Sequence, residues 1–236
     1  MTKNPSMYVR DVAMNSKPVL KLDWCSHEAA KFAVQHWHYS RTMPIGKLCK
    51  VGVWESGSFI GCVMYGLGAN REMASSLCEP QFACELVRIA LTRHQTPVSR
   101  ILKISLAMLR AKCPKLRVIV SYADGRQGHH GGVYQAGGWV YLGKSQKTTE
   151  WFHEGRWKHN REMTGGPFGK KRRLATDDIP KRVVDGKLKY VMPLDEDMKR
   201  TVEPLRKPYP KRVRSVDSDT STIHAEEGGA NPTRTL

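Results

Sequence analysis

The sequence has no C-x-x-C pair, no run of 18 apolar residues, no internal repeat and no heptad, and it is poor in acidic side chains. Without a redox or metal-type pairing, the six cysteines (Cys25, Cys49, Cys62, Cys78, Cys84 and Cys113) sit mostly in apolar stretches. They read as buried free thiols in a reducing compartment. The lack of a long apolar run excludes a spanning helix. Lys3, Asn4, Pro5 and Arg10 precede any apolar segment, so no signal-peptide core is visible. A soluble cytoplasmic protein without a membrane partner is expected.

The acidic deficit defines the partner class. Against 22 Asp and Glu stand 39 Lys and Arg, a formal charge of +17 on 236 residues. Such a charge repels itself unless a polyanion is the natural partner, which puts nucleic acid first and an anionic membrane surface second. Residues 1–150 carry +11 and residues 151–236 carry +6. The excess is therefore spread over the half expected to fold and do chemistry. With 40% hydrophobic residues, the chain can bury one α/β core and carry an appendage.

Local patterns place the elements. HEAAKFAVQHWHY, with Ser26 as N-cap and Glu28 near the positive dipole end, repeats its apolar residues at helical spacing and predicts a helix ending near His38. LCKVGVWE and SFIGCVMYG, joined at Ser56, Gly57 and Ser58, predict a hairpin. CELVRIAL predicts a buried strand. A helix with Thr96 as N-cap, Pro97 at its first position and Val98, Ile101, Leu102, Ser105, Met108 and Leu109 on one face follows. LRVIVSYAD is a strand covered on both faces; GHHGGVYQAGG is partly helical and WVYLG is a further strand. TTEWFHEGRWKH reads as a strand and turn, KLKYVMPL as another short strand and GKKRRLATDDIPKR as a loop, and beyond residue 208 few apolar residues remain.

The order helix, hairpin, strand, helix, strand, helix, strand resembles that of the GNAT acetyltransferases. That resemblance implies a mixed central sheet with helices on both faces. It also implies acetyl-CoA lying between the fourth and fifth strands, its pantetheine along CELVRIAL at Val87 and Ile89, and its pyrophosphate at RHQTPVSR. A helix start offers unpaired N–H groups and a positive dipole, with Arg93, Thr96, Val98, Ser99 and Arg100 as the surrounding residues. RHQTPVSR has no glycine, unlike the usual GNAT loop, and Pro97 removes a donor.

Four segments read together, DWCSHEAAKFAVQHWHYSR, KVGVWESGSFIGCVMYG, ELVRIALTRHQTPVSRIL and IVSYADGRQGHHGGVYQAGGWVYLG, resemble the Mom family over about residues 8–145. These phage proteins convert adenine in DNA to an N6-carbamoylmethyl form that shields it from host restriction. The resemblance implies a site at His38, Tyr39, Asp124 and Tyr134. It also implies a link to iron, for which His38 and Asp124, with Tyr39 and His129 or His130, offer an N/O donor set without H-x-D or H-x-x-x-H spacing.

Reaching a paired, stacked adenine implies base flipping in double-stranded DNA, with Trp37, Tyr39, Trp54 and Tyr122 as stacking surfaces. Lys47, Lys50, Arg71, Arg126 and the run Lys170, Lys171, Arg172, Arg173 are the phosphate contacts expected. Each residue also has a plain structural reading: a His-Tyr pair capping a helix, Asp124 in a turn, Tyr134 in the core, the basic run as a solvated loop. The expected organisation is a catalytic domain over 1–150, a basic extension over 151–208 and a disordered tail over 209–236. Two rivals remain: a GNAT acting on a protein or small-molecule amine, and a non-catalytic DNA-binding protein on the same scaffold.

Overall fold

The computed structural model describes residues 17–68, 71–160, 163 and 178–211. Strand β1 (Leu20–Trp24) leads into α1 (His27–Trp37), where the Ser26 side chain accepts from the Ala29 amide at 3.1 Å. Ala30, Ala33 and Val34 form the buried stripe of α1. Strands β2 (Leu48–Glu55) and β3 (Ser58–Gly66) form the expected hairpin. Its turn residues Ser56 and Gly57 both have positive φ, 48° and 83°, the backbone a tight two-residue turn requires.

Strand β4 (Ala83–Leu91) is followed by α2 (Val98–Lys112), which buries Ile101, Leu102, Ser105 and Leu109 as its spacing predicts. The cap differs from expectation. Pro97, with ψ 131°, is the N-cap, because the Thr96 hydroxyl donates to Glu55 instead of closing the helix start. Next come β5 (Val118–Ala123), α3 (Gly132–Ala136) and β6 (Val140–Lys144). Beyond them lie β7 (Thr148–His153), β8 (Arg156–His159), β9 (Lys181–Val184), β10 (Leu188–Pro193) and α4 (Glu196–Val202).

The main sheet has the order β1-β2-β3-β4-β5-β10-β6, and a smaller sheet has the order β8-β7-β9. All neighbours in the main sheet are antiparallel except β4 and β5. Helix α1 packs its small residues on Cys62, Met64 and Ala90, while α2 covers the opposite side chains, Val63, Tyr65 and Ile119 among them. The expected mixed central sheet with helices on both faces is the fold this chain adopts.

Two features of this sheet shape the site. The parallel pairing of β4 with β5 runs only from Ala83↔Val118 to Glu85↔Val120, so the rest of β4 parts from its neighbour. In addition β10, from beyond the boundary expected at residue 150, enters between β5 and β6. Tyr190 and Val191 of β10 are fully buried there, which explains why KLKYVMPL is apolar at its centre. Of the expected tail, residues 212–236 lie outside the described residues.

Candidate active-site cleft

The parting of β4 from β5 opens a cleft of about 1540 Å³. Its walls are the outer half of β4 (Val87, Arg88, Ile89), the end of α1 (His38, Tyr39), the loop after β5 (Arg126, Gly128, His129, His130) and Tyr134. The small sheet adds Thr148 and His159, and Lys144, Lys147, Lys187, Lys189 and Lys207 also line it. A gap between two strand ends is where α/β sheets place ligands, because backbone groups there lack a sheet partner.

His38 terminates α1, its amide donating to the Val34 carbonyl at 3.3 Å. The Ser40 amide donates to His38 Nδ1 at 3.1 Å, and Ser40 Oγ lies 2.8 Å from the same nitrogen. An amide can only donate, so Nδ1 carries the lone pair and the neutral ring holds its proton on Nε2. Burial, with Arg88, His129 and Lys187 nearby, pushes the imidazole pKa down to about 4. His38 is thus a neutral N–H donor at physiological pH. The Tyr39 ring is 4.4 Å from His38 and meets His129 edge-on at 5.5 Å. Tyr39 keeps half its surface exposed, at 49%, and lines the cleft.

Tyr134 sits at the back of the fork, buried, with its hydroxyl 2.8 Å from Ser121 Oγ. Ser121 Oγ also lies 3.0 Å from the Leu86 carbonyl. A carbonyl only accepts, so the single serine proton serves Leu86 and Tyr134 donates to Ser121. Burial pushes the Tyr134 phenol up to about 12, and it keeps its proton.

Arg88 is a cleft residue that the sequence reading left inside a buried strand. Its Nη1 donates to the Val87 carbonyl at 2.7 Å, while Nε is buried without a hydrogen-bond partner among the described residues. An unsatisfied buried guanidinium nitrogen is costly. A charged residue within CELVRIAL was the available signal, since a strand interior tolerates arginine only with a partner.

Asp124 is reached differently. Its carboxylate caps the turn after β5 by accepting from the Arg126 amide at 3.1 Å, and pairs with Lys187 at 3.2 Å and Arg126 at 3.6 Å. Burial alone would raise its pKa, but Lys187 and Arg126 outweigh that and hold the carboxyl below its ordinary range. Asp124 itself is not part of the cleft wall, whereas Arg126 and Lys187 are. Arg126 also donates to Glu150 at 2.7 Å, and Arg182 pairs with the other Glu150 oxygen at 2.8 Å. One chain of alternating charges thus links the two sheets.

The expected cofactor residues divide. Val87, Ile89 and Val98 line the cleft; Arg93, Thr96, Ser99 and Arg100 do not. The free edge of β4 suits an extended pantetheine arm. At the helix start, however, Glu55 accepts from the Gln95 amide at 3.0 Å, the Thr96 amide at 2.8 Å and the Thr96 hydroxyl at 2.6 Å. Its carboxylate stands where a phosphate would. An iron site fits less well: His38 Nδ1 is taken by Ser40 and Asp124 by two cations. No group of three or more His, Cys, Asp or Glu with metal-binding geometry occurs among the described residues.

Of the expected phosphate contacts, Arg126 joins the cleft, while Lys47 and Lys50 do not. The Arg71 side chain and Lys170, Lys171, Arg172 and Arg173 lie outside the described residues. Trp37 and Trp54 both pack against Phe59; Tyr39 and Tyr122 face the cleft. The five lysines at the cleft wall were missed because strand pairing over long separations gathers them.

The Mom protein family matches residues 19–211. The curated methylcarbamoylase mom of Escherichia phage Mu is 26% identical over 145 residues, covering 57% of this chain and 60% of that protein. The chain thus spans less than two thirds of that relative's length. A solved protein of Acinetobacter baylyi ADP1, provisionally named an acetyltransferase, is 11% identical with a TM-score of 0.43, over 77% of this chain and 96% of that one. Among the described residues, no helix is long and apolar enough to cross a membrane.

Proposed function

The chain belongs to the Mom protein family, and from that premise we propose that it modifies adenine in double-stranded DNA, converting the N6 amino group to its carbamoylmethyl form and so protecting phage DNA from restriction. The observation that carries this reading beyond the family match is the pairing of a neutral His38 donor with the open Tyr39 ring on a cleft rimmed by lysines. A flipped base needs an aromatic surface to replace its stack and donors to read its edge, and the surrounding duplex needs cations.

In this reading the adenine lies against Tyr39, with Tyr122 also at the cleft wall. His38 Nε2–H donates to a ring nitrogen of the base, or to charge developing on the transferred group. N6 is a poor nucleophile because its lone pair is delocalised into the ring. Arg88 brings a guanidinium to the same cleft and binds a carbonyl or carboxylate oxygen of the incoming group. Tyr134, protonated and held by Ser121, fixes the back of the cleft. Asp124 orients Arg126 and Lys187 toward the DNA.

The donor is proposed to be an acyl-CoA such as acetyl-CoA; ordinary thioester acyl transfer would join N6 to the carbonyl carbon, whereas the carbamoylmethyl product joins it to the neighbouring methylene carbon. Val87 and Ile89 would run along its arm and Val98 would meet it at the start of α2. Its nucleotide reaches the Gln95 and Thr96 amides only when Glu55 leaves them.

The test is nucleoside mass spectrometry of DNA from cells expressing the chain. A deoxyadenosine of increased mass is expected. CoA turnover with unmodified DNA would favour acylation of a protein or small-molecule amine, and DNA binding with neither would leave a non-catalytic binder.

A further inference from the structure

The strands β7, β8 and β9 stand between β6 and β10 in the chain yet form a separate sheet. Side chains alternate across a strand. The registers Glu150↔His159, Phe152↔Trp157, Glu150↔Arg182 and Thr148↔Val184 therefore put these residues on one face. That face begins in the cleft, where Thr148 and His159 form part of the wall. It ends outside it, where Phe152 and Trp157 are 42% and 36% exposed with ring centroids 5.4 Å apart.

The polar groups of this face are arranged for an anion. Its one carboxylate among these register positions, Glu150, is buried and neutralised by Arg126 and Arg182. Arg182 in turn lies over the Trp157 ring, 4.2 Å from its centroid. A guanidinium stacked on an exposed ring stiffens an aromatic platform. Lys144, Lys147 and Lys187 lie at the adjoining cleft wall. Exposed paired aromatics would be an aggregation liability on a surface with no partner.

We propose that this face of the small sheet, centred on Phe152, Trp157 and Arg182, is the docking surface for double-stranded DNA beside the cleft. The inference rests on the reading of DNA as substrate and goes beyond it by naming the element that holds the duplex. The aromatic pair packs against sugar and base edges next to the flipped nucleotide, and the cations follow the phosphates. The chain Arg182–Glu150–Arg126–Asp124 then fixes this platform relative to the cleft.

Fluorescence anisotropy with a labelled duplex tests it, using the full chain, Trp157→Ala and the double variant Phe152→Ala with Trp157→Ala. Both rings are partly exposed, so the variants should stay folded with melting temperatures lowered by only a few degrees. Duplex affinity should fall about tenfold in the double variant. Phe152→Glu, which adds a negative charge at the same place, should weaken binding at least as much. Wild-type duplex binding that all three variants retain would overturn the docking surface while leaving the DNA reading intact. A wild-type chain that binds no duplex would overturn the DNA reading, and this surface with it. Loss confined to single-stranded DNA, with duplex affinity unchanged, would also overturn it.

Discussion

Glu55 and Thr96 meet across 41 positions of sequence, the Glu55 carboxylate accepting from both the Thr96 amide and its hydroxyl. The contact ties the end of β2 to the start of α2 and fills the anion position with a side chain. A nucleotide phosphate would have to displace it. Glu55→Ala should therefore bind CoA about tenfold more tightly than wild type, about 1.4 kcal/mol, while affinity for pantetheine without the nucleotide stays unchanged. Isothermal titration with both ligands checks this. An equal effect on the two would place the change in the cleft and not at the helix start.

His38 gives a pH signature. Its folded pKa of about 4 lies below the ordinary imidazole value of 6.5, so between those values the unfolded chain binds the extra proton. The stability it contributes is complete above about pH 6.5 and is lost as pH falls through that window toward 4. The loss is at most about 3 kcal/mol. Urea denaturation from pH 7.5 to 4.5 should show a steeper decline for wild type than for His38→Gln. Parallel curves would mean that His38 is not held neutral by the fold.

Local pattern carried the sequence reading a long way. Ser26 capping α1, the β2–β3 hairpin and the buried face of α2 are each set by neighbours within a few residues, and each was legible. Contacts between distant segments were not. KLKYVMPL could be recognised as a strand, but nothing local says that it enters the sheet between β5 and β6 and brings Lys187 to Asp124. Thr96 looks like a cap because its acceptor, Glu55, lies on another hairpin. Arg88 was readable in principle as a charge inside an apolar strand. Its importance emerges only from its place on the cleft wall, with its Nε lacking a hydrogen-bond partner among the described residues.

Tyr134 and Ser121 separate packing from chemistry. Tyr134→Phe removes one hydroxyl while Ser121 keeps the Leu86 carbonyl, so the stability change should be about 1 kcal/mol. If the protonated phenol serves the reaction, deoxyadenosine modification in cells should drop by an order of magnitude or more, with the melting temperature nearly unchanged. Full modification by the phenylalanine variant would make Tyr134 a core residue only.

Asp124 is expected to act through its partners. Asp124→Asn leaves Lys187 and Arg126 without their shared carboxylate. Because those two side chains are 41% and 40% exposed, solvent should limit the stability loss to about 1–2 kcal/mol. The wild-type contribution is complete above the ordinary carboxylate range and disappears as pH falls through the lowered Asp124 pKa. Modification should fall strongly, and duplex affinity should fall with it, since Arg126 and Lys187 lose their orientation. Unchanged DNA affinity with lost modification would instead place Asp124 among the reacting groups.

The position of the basic surface is open to a sharper test than the total charge. Each lysine that contacts a phosphate releases a counterion and adds about 0.9 to the slope of log affinity against log salt. Lys147 and Lys207 line the cleft, whereas Lys47 does not. Lys147→Ala and Lys207→Ala should each flatten that slope by about one, and Lys47→Ala should leave it unchanged. The slopes, unlike single affinities, count contacts directly. A chain that merely attracted DNA through its net charge would show the same small change for all three substitutions. A large effect at Lys47 alone would move the DNA off the lysine-rimmed cleft wall.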